Sequence, residues 1–128
     1  MKPQATLLIA ALCVLIYVVL SLRVILVRFR DEQMAIDVEP DVRLQFRIRA
    51  HGNFAEYVPL ALVMMGFLEL SGAQTDHLYW IGALLIAARV AHAIGMPLKP
   101  PNPLRAFGIM GTLAVLIAES FYALALLR

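Results

Sequence analysis

Four apolar stretches, at 5–27, 53–71, 77–96 and 104–127, take up most of a chain of 128 residues. Each is near the ~20 residues that a helix needs to cross ~30 Å of hydrocarbon. At that depth the backbone must satisfy its own hydrogen bonds, so the expected fold is all-α, a bundle of four transmembrane helices forming a single domain over 1–128. The chain is 62% hydrophobic and 16% charged, with a mean hydropathy of +0.80, which points the same way. The first stretch reads as a mature helix. Its apolar run, 5–22, outlasts the ~7–15 residues of a secretory h-region, and no small-x-small cleavage pattern closes it. Cys13, the lone cysteine, has no disulfide partner, and Leu12 before it does not suit a lipid anchor; it reads as a packed apolar thiol.

The connections differ sharply in charge. Loop one and its flanks carry Arg23, Arg28, Arg30, Arg43, Arg47 and Arg49, the connection 72–76 carries no Lys or Arg, and the third region carries Arg89, Lys99 and Arg105. The positive-inside rule then places loops one and three in the cytoplasm and both termini on the other side. Asp31, Glu32, Asp37, Glu39 and Asp41 share loop one and bring the net charge to only +2, which argues against a nucleic-acid partner. Asp41 after Pro40 reads as an N-cap of a helix ending near Ser71, with Gly72 as its stop and a kink at Pro59. Pro97 ends the third helix. Asn102 before Pro103 reads as the N-cap of the fourth.

Ionisable groups at membrane depth are costly and mark functional sites by default. At 100° per residue, Arg49, Asn53 and Glu56 fall on one stripe of helix two. Arg89, His92 and Met96 form a second stripe on helix three, and Arg105 opens a third on helix four that runs through Ile109 and Thr112 to Glu119. Three helices thus bring polar groups to one depth, the cytoplasmic leaflet. Snorkelling would account for the arginines but not for Asn53, Glu56 and His92. Arginines with one carboxylate suit a small, net-negative zwitterion, whose carboxylates meet guanidinium groups and whose ammonium meets Glu56 or Asn53. A tripeptide thiol such as glutathione fits; charge alone also admits a phosphorylated headgroup. Hydrophobic small molecules or lipids would reach the site from the bilayer.

The run Arg49-Ala50-His51 with Asn53, Glu56, Tyr57 and Pro59 resembles the signature of the MAPEG family, the membrane-associated proteins in eicosanoid and glutathione metabolism. Leu22-Arg23-Val24-Ile25 with Arg28, Ala88-Arg89-Val90-Ala91-His92 and Asn102-Pro103-Leu104-Arg105 extend the likeness over nearly the whole chain. The resemblance implies four-helix subunits assembled as a homotrimer, with glutathione as cosubstrate between neighbouring subunits. It further implies that Arg49, Asn53, Glu56 and Arg89 or His92 bind glutathione, that Arg28 joins them from helix one, and that Arg105 stabilises the thiolate. The activity expected from it is a membrane-bound glutathione transferase or peroxidase acting on hydrophobic electrophiles or lipid hydroperoxides. No protein nucleophile or metal is needed for that chemistry.

The sequence also departs from specialised members of that family. Gly52 stands where a prostaglandin synthase of the family has a basic residue, Met96 where it has a tyrosine, and Ala106 where it has a serine, which argues against eicosanoid isomerase chemistry. A non-catalytic protein that binds or presents lipid is the alternative within the family. A small four-helix multidrug exporter would need an acid in helix one, where there is none. Arg89 and His92 either contact ligand or enter a buried ion pair with Glu56 or a neighbour. His51, about 200° from Arg49, reads as a packing residue. Glu69 and His77 read as solvated or at headgroup level, Glu119 as a structural hydrogen-bonding group, and Tyr79, Trp80 and Tyr122 as anchors at the outer face.

Overall fold

The computed structural model describes residues 2–33 and 42–128. They form α1 (Gln4–Gln33), α2 (Val42–Leu70), α3 (Thr75–Gly95) and α4 (Pro103–Leu126), and each helix is long and apolar enough to cross a membrane. The expected four-helix membrane bundle is the fold observed. Its boundaries follow local chemistry. After α2, Gly72 takes a left-handed φ of 88°, Ala73 N–H donates to Leu68 O at 3.0 Å and Gly72 N–H to Glu69 O at 3.2 Å. That pair of bonds is the Schellman ending that a glycine at this position favours. At the start of α4, Asn102 Oδ1 accepts from Leu104 N–H at 2.9 Å and from Arg105 N–H at 3.2 Å, with Pro103 in the first turn. Arg105 is therefore fixed in a capped first turn. α2 continues from Val42 to Leu70 through Pro59. The cap expected at Asp41 lies outside the described residues.

In cross-section, α2 and α3 form the short diagonal of a rhombus. α1 packs on both of them from one side and α4 from the other, and among the described residues α1 and α4 do not touch. Lipid is as apolar as a protein core, so membrane helices associate through close packing, often at small residues. The α3–α4 seam follows that rule. A Cβ on Gly108 would collide with the Cβ of His92, one on Gly111 would lie 3.0 Å from the Cβ of Ala88, and one on Gly95 would lie 2.5 Å from the backbone nitrogen of Arg105. Gly82 admits Ile9 of α1 in the same way. Between these seams lie the fully buried Met65, Leu68, Leu78, Leu85 and Val115, together with Cys13.

The far end of the bundle corrects the reading of two acids. Glu69 is not solvated; it is 6% exposed and its carboxylate accepts from Ala5 N–H at 2.8 Å and Thr6 N–H at 2.7 Å. The first turn of α1 has no acidic residue of its own. Its free N–H groups are instead capped by a carboxylate from the end of α2, which the helix dipole also favours. Replacing Glu69 with Gln keeps an acceptor and removes the charge. We expect Glu69→Gln to cost about 0.3–1 kcal/mol, read as a lower thermal unfolding midpoint in detergent. Glu119 makes no structural hydrogen bond: it is fully buried, and neither carboxyl oxygen has a partner among the described residues. Trp80, 76% exposed, suits an anchor, but Tyr122 is half-buried and its hydroxyl accepts from Gln74 N–H at 2.8 Å.

Candidate functional site

Between α2, α3 and α4, at the end of the bundle nearest loop one, lies an open pocket of about 400 Å³. That volume falls within the ~300–1,000 Å³ usual for small-molecule sites. α2 contributes Ile48, Arg49, Gly52, Asn53 and Glu56, α3 contributes His92, and α4 contributes Arg105 and Ile109, with Met96 at the end of α3. Arg49, Asn53, Glu56, His92 and Arg105, five of the residues expected in a site, thus line one cavity. Arg49 and Glu56 are exposed, Asn53 and Arg105 half-buried, and His92 buried. Two guanidinium groups and one carboxylate share the lining, which favours a net-negative ligand that also carries a cation. No Ser, Thr or Tyr is among these lining residues.

Arg89 lies behind this wall. It is 2% exposed, and its guanidinium ties three helices together: Nη1 donates to Asn53 Oδ1 at 2.8 Å and Nη2 to Gly108 O at 2.9 Å. Its partners are Asn53 and Gly108, not Glu56. A second cavity of about 100 Å³, lined by Asn53, Tyr57, Arg89, Ile109, Thr112 and Leu113, continues from the pocket toward the middle of the bundle. Because Arg89 occupies Asn53 Oδ1, the Asn53 amide keeps its N–H groups for a ligand. The α3–α4 glycine seam makes the bond to Gly108 possible by letting the helices approach. The spacing of Gly108 and Gly111 against Ala88 and His92 carried that signal in the sequence, and the stripe reading of α3 missed it.

Arg28 is exposed on α1 and is not among the residues lining this pocket. His51 faces α1, as its position on the wheel suggested: its ring centroid lies 4.8 Å from that of Tyr17, and Nε2 lies 3.1 Å from Ser21 Oγ. Gly52 differs from the seam glycines, since a Cβ there would meet nothing within 4 Å among the described residues. Helix propensity then decides the effect of adding one. Gly52→Ala should raise stability by about 0.5–1 kcal/mol, measured by thermal unfolding.

An all-α bundle of four membrane-length helices with a cationic pocket at one end defines an integral, multi-pass membrane protein. The MAPEG family model matches residues 6–125, and the chain belongs to that family. The inner membrane protein YecN of Escherichia coli K12 is 46% identical over 52 residues, covering 41% of this chain and 40% of that protein. YecN of Escherichia coli O6:H1 matches with the same identity and coverage. The chain thus spans about two fifths of the length of the curated relatives it matches. No solved structure matches it.

Proposed function

We propose that the chain is a subunit of a membrane-bound, glutathione-dependent transferase or peroxidase. The observation that carries this reading is the convergence of Arg49, Asn53, Glu56, His92 and Arg105 on one open pocket. Glutathione is net-negative and zwitterionic, which suits that lining. Arg49 and the Asn53 amide N–H donate to carboxylates of the tripeptide, and Glu56 accepts from its ammonium. Arg105 lies against the sulfur. In transfer, the thiolate attacks an electrophilic carbon, forming a C–S bond as the leaving group departs with its electron pair. In peroxide reduction it attacks a peroxide oxygen, and the O–O bond breaks to give an alcohol and the sulfenic acid of glutathione. A second glutathione condenses with that product to give the disulfide and water.

The loop charges support a site at the cytoplasmic leaflet, with both termini on the opposite side. A homotrimer would let Arg28, which is exposed on α1 and not among the residues lining its own chain's pocket, serve the pocket of a neighbouring copy. Membership of the family supports glutathione chemistry in general. The missing hydroxyls favour one second reading, a non-catalytic protein that binds or presents lipid at the same pocket. Purified protein should conjugate glutathione to a halonitrobenzene or reduce a lipid hydroperoxide. Calorimetry separates the readings: no heat of glutathione binding to a folded, assembled protein leaves only lipid binding.

A further inference from the structure

On the opposite side of the bundle, α1 and α3 border an apolar groove of about 310 Å³ lined by Leu15, Val19, Leu20, Val90 and Ile94, with Arg23 at its end. Arg23 and Ala93 also line a neighbouring pocket of about 330 Å³, to which α2 adds Arg43, Phe46 and Arg47. The two cavities therefore form one continuous feature, apolar at membrane depth and cationic at the end nearest loop one. Arg47 is held in place, its Nη1 donating to Arg23 O at 3.0 Å. No acidic side chain is among the described residues lining either cavity. Of the residues around the glutathione pocket, only Met96 is shared.

This combination selects its occupant. A soluble phosphate would use the arginines and leave the groove empty, while a neutral hydrocarbon would do the reverse. A zwitterionic lipid would bring its own cation toward the Arg23 and Arg47 guanidinium groups. An anionic headgroup satisfies them, and its chains lie where the groove faces lipid, since Leu15, Val19 and Ile94 are 63%, 56% and 54% exposed. We propose that the α1–α3 groove binds an anionic phospholipid, its phosphate held by Arg23 and Arg47 and an acyl chain lying along Val19, Leu20, Val90 and Ile94. Basic pockets between membrane helices recognise anionic headgroups by the same physics, and each arginine near such a surface contributes about fivefold in affinity. The site is independent of the glutathione reading.

Native mass spectrometry on the delipidated full chain in detergent tests this, with phosphatidylglycerol, phosphatidylcholine and inorganic phosphate as probes. Phosphatidylglycerol should bind roughly 20-fold or more tightly than phosphatidylcholine. Arg23→Gln with Arg47→Gln should remove most of that preference, and the pair Arg23→Lys with Arg47→Lys, which keeps the charge, should retain it. Ile94→Trp should fill the groove and weaken both lipids. Equal affinity for the two lipids in the unaltered protein overturns the proposal, as does a preference that survives the double glutamine variant. Displacement of phosphatidylglycerol by an equal concentration of inorganic phosphate would make the feature a phosphate site. Lipid binding that appears only after the oligomer dissociates would mean that a second copy covers the groove, and it too overturns the proposal.

Discussion

Replacing Arg105 with Ala should raise the pKa of bound glutathione by about 2 units, seen directly by titrating thiolate absorbance in the ultraviolet. A free thiol near pKa ~8.5 is only about 3% ionised at pH 7, whereas one held near ~6.5 is about three-quarters ionised. The variant should therefore lose roughly 25-fold in thiolate population at neutral pH. Rate alone is a poorer guide. A more basic thiolate is also more nucleophilic, with a Brønsted slope of ~0.4–0.5, and this recovers part of the loss. The pH profile separates the two effects. Turnover of the unaltered protein should level off above about pH 6.5, and that of Arg105→Ala should keep rising through about pH 8.5. Glutathione affinity should change little, because in the proposed site Arg49, Asn53 and Glu56 hold the peptide. If the two proteins titrate alike, Arg105 does not stabilise the thiolate and its place on the pocket wall serves binding.

Helix number, the end of α2, the start of α4 and the convergence of the polar residues were legible in the sequence because local rules govern them. Gly72 stops α2 and Asn102 starts α4 through bonds that span five residues or fewer. The stripe of Arg49, Asn53 and Glu56 required only the helical period, and all three line one pocket with His92 and Arg105. Contacts between helices were not legible in that way. Glu69 reaches back 64 residues to cap α1, and nothing in its own neighbourhood distinguishes a capping carboxylate from a solvated one. Glu119 lies on the same stripe as Arg105, but the stripe does not say what faces it, and the structure leaves both its oxygens without a partner among the described residues. Arg89 was read together with His92 because they share a face of α3, although the first is a clamp behind the pocket and the second lines it. A wheel gives the direction of a side chain and not its reach. The length of Arg89 carries it past the pocket to Asn53 and Gly108.

That geometry makes Arg89 a positioning residue, and Arg89→Met should weaken glutathione binding about tenfold or more. Met fills similar space in the core without the guanidinium, so no cavity opens and no buried charge is stranded. Gly108 O keeps a second donor, the Thr112 hydroxyl at 2.8 Å, so α4 does not lose its satisfied carbonyl. The group left unpaired is the Asn53 side chain. Once Oδ1 loses its donor the amide is free to turn, and its N–H groups no longer point at a fixed ligand position. Losing an oriented amide donor to a ligand carboxylate costs about 1.5–3 kcal/mol, which sets the tenfold floor. Arg89→Lys should not rescue binding, because one ammonium cannot replace a fork whose two arms reach different helices. The deciding measurement is a double-mutant cycle in glutathione affinity. If Arg89 acts through Asn53, then Asn53→Ala already removes the amide, and adding Arg89→Met should cost almost nothing more. Additive losses would instead place the Arg89 guanidinium on the ligand itself, with Asn53 an independent contact. Circular dichroism and oligomer size, unchanged across the cycle, separate either outcome from a bundle that has come apart.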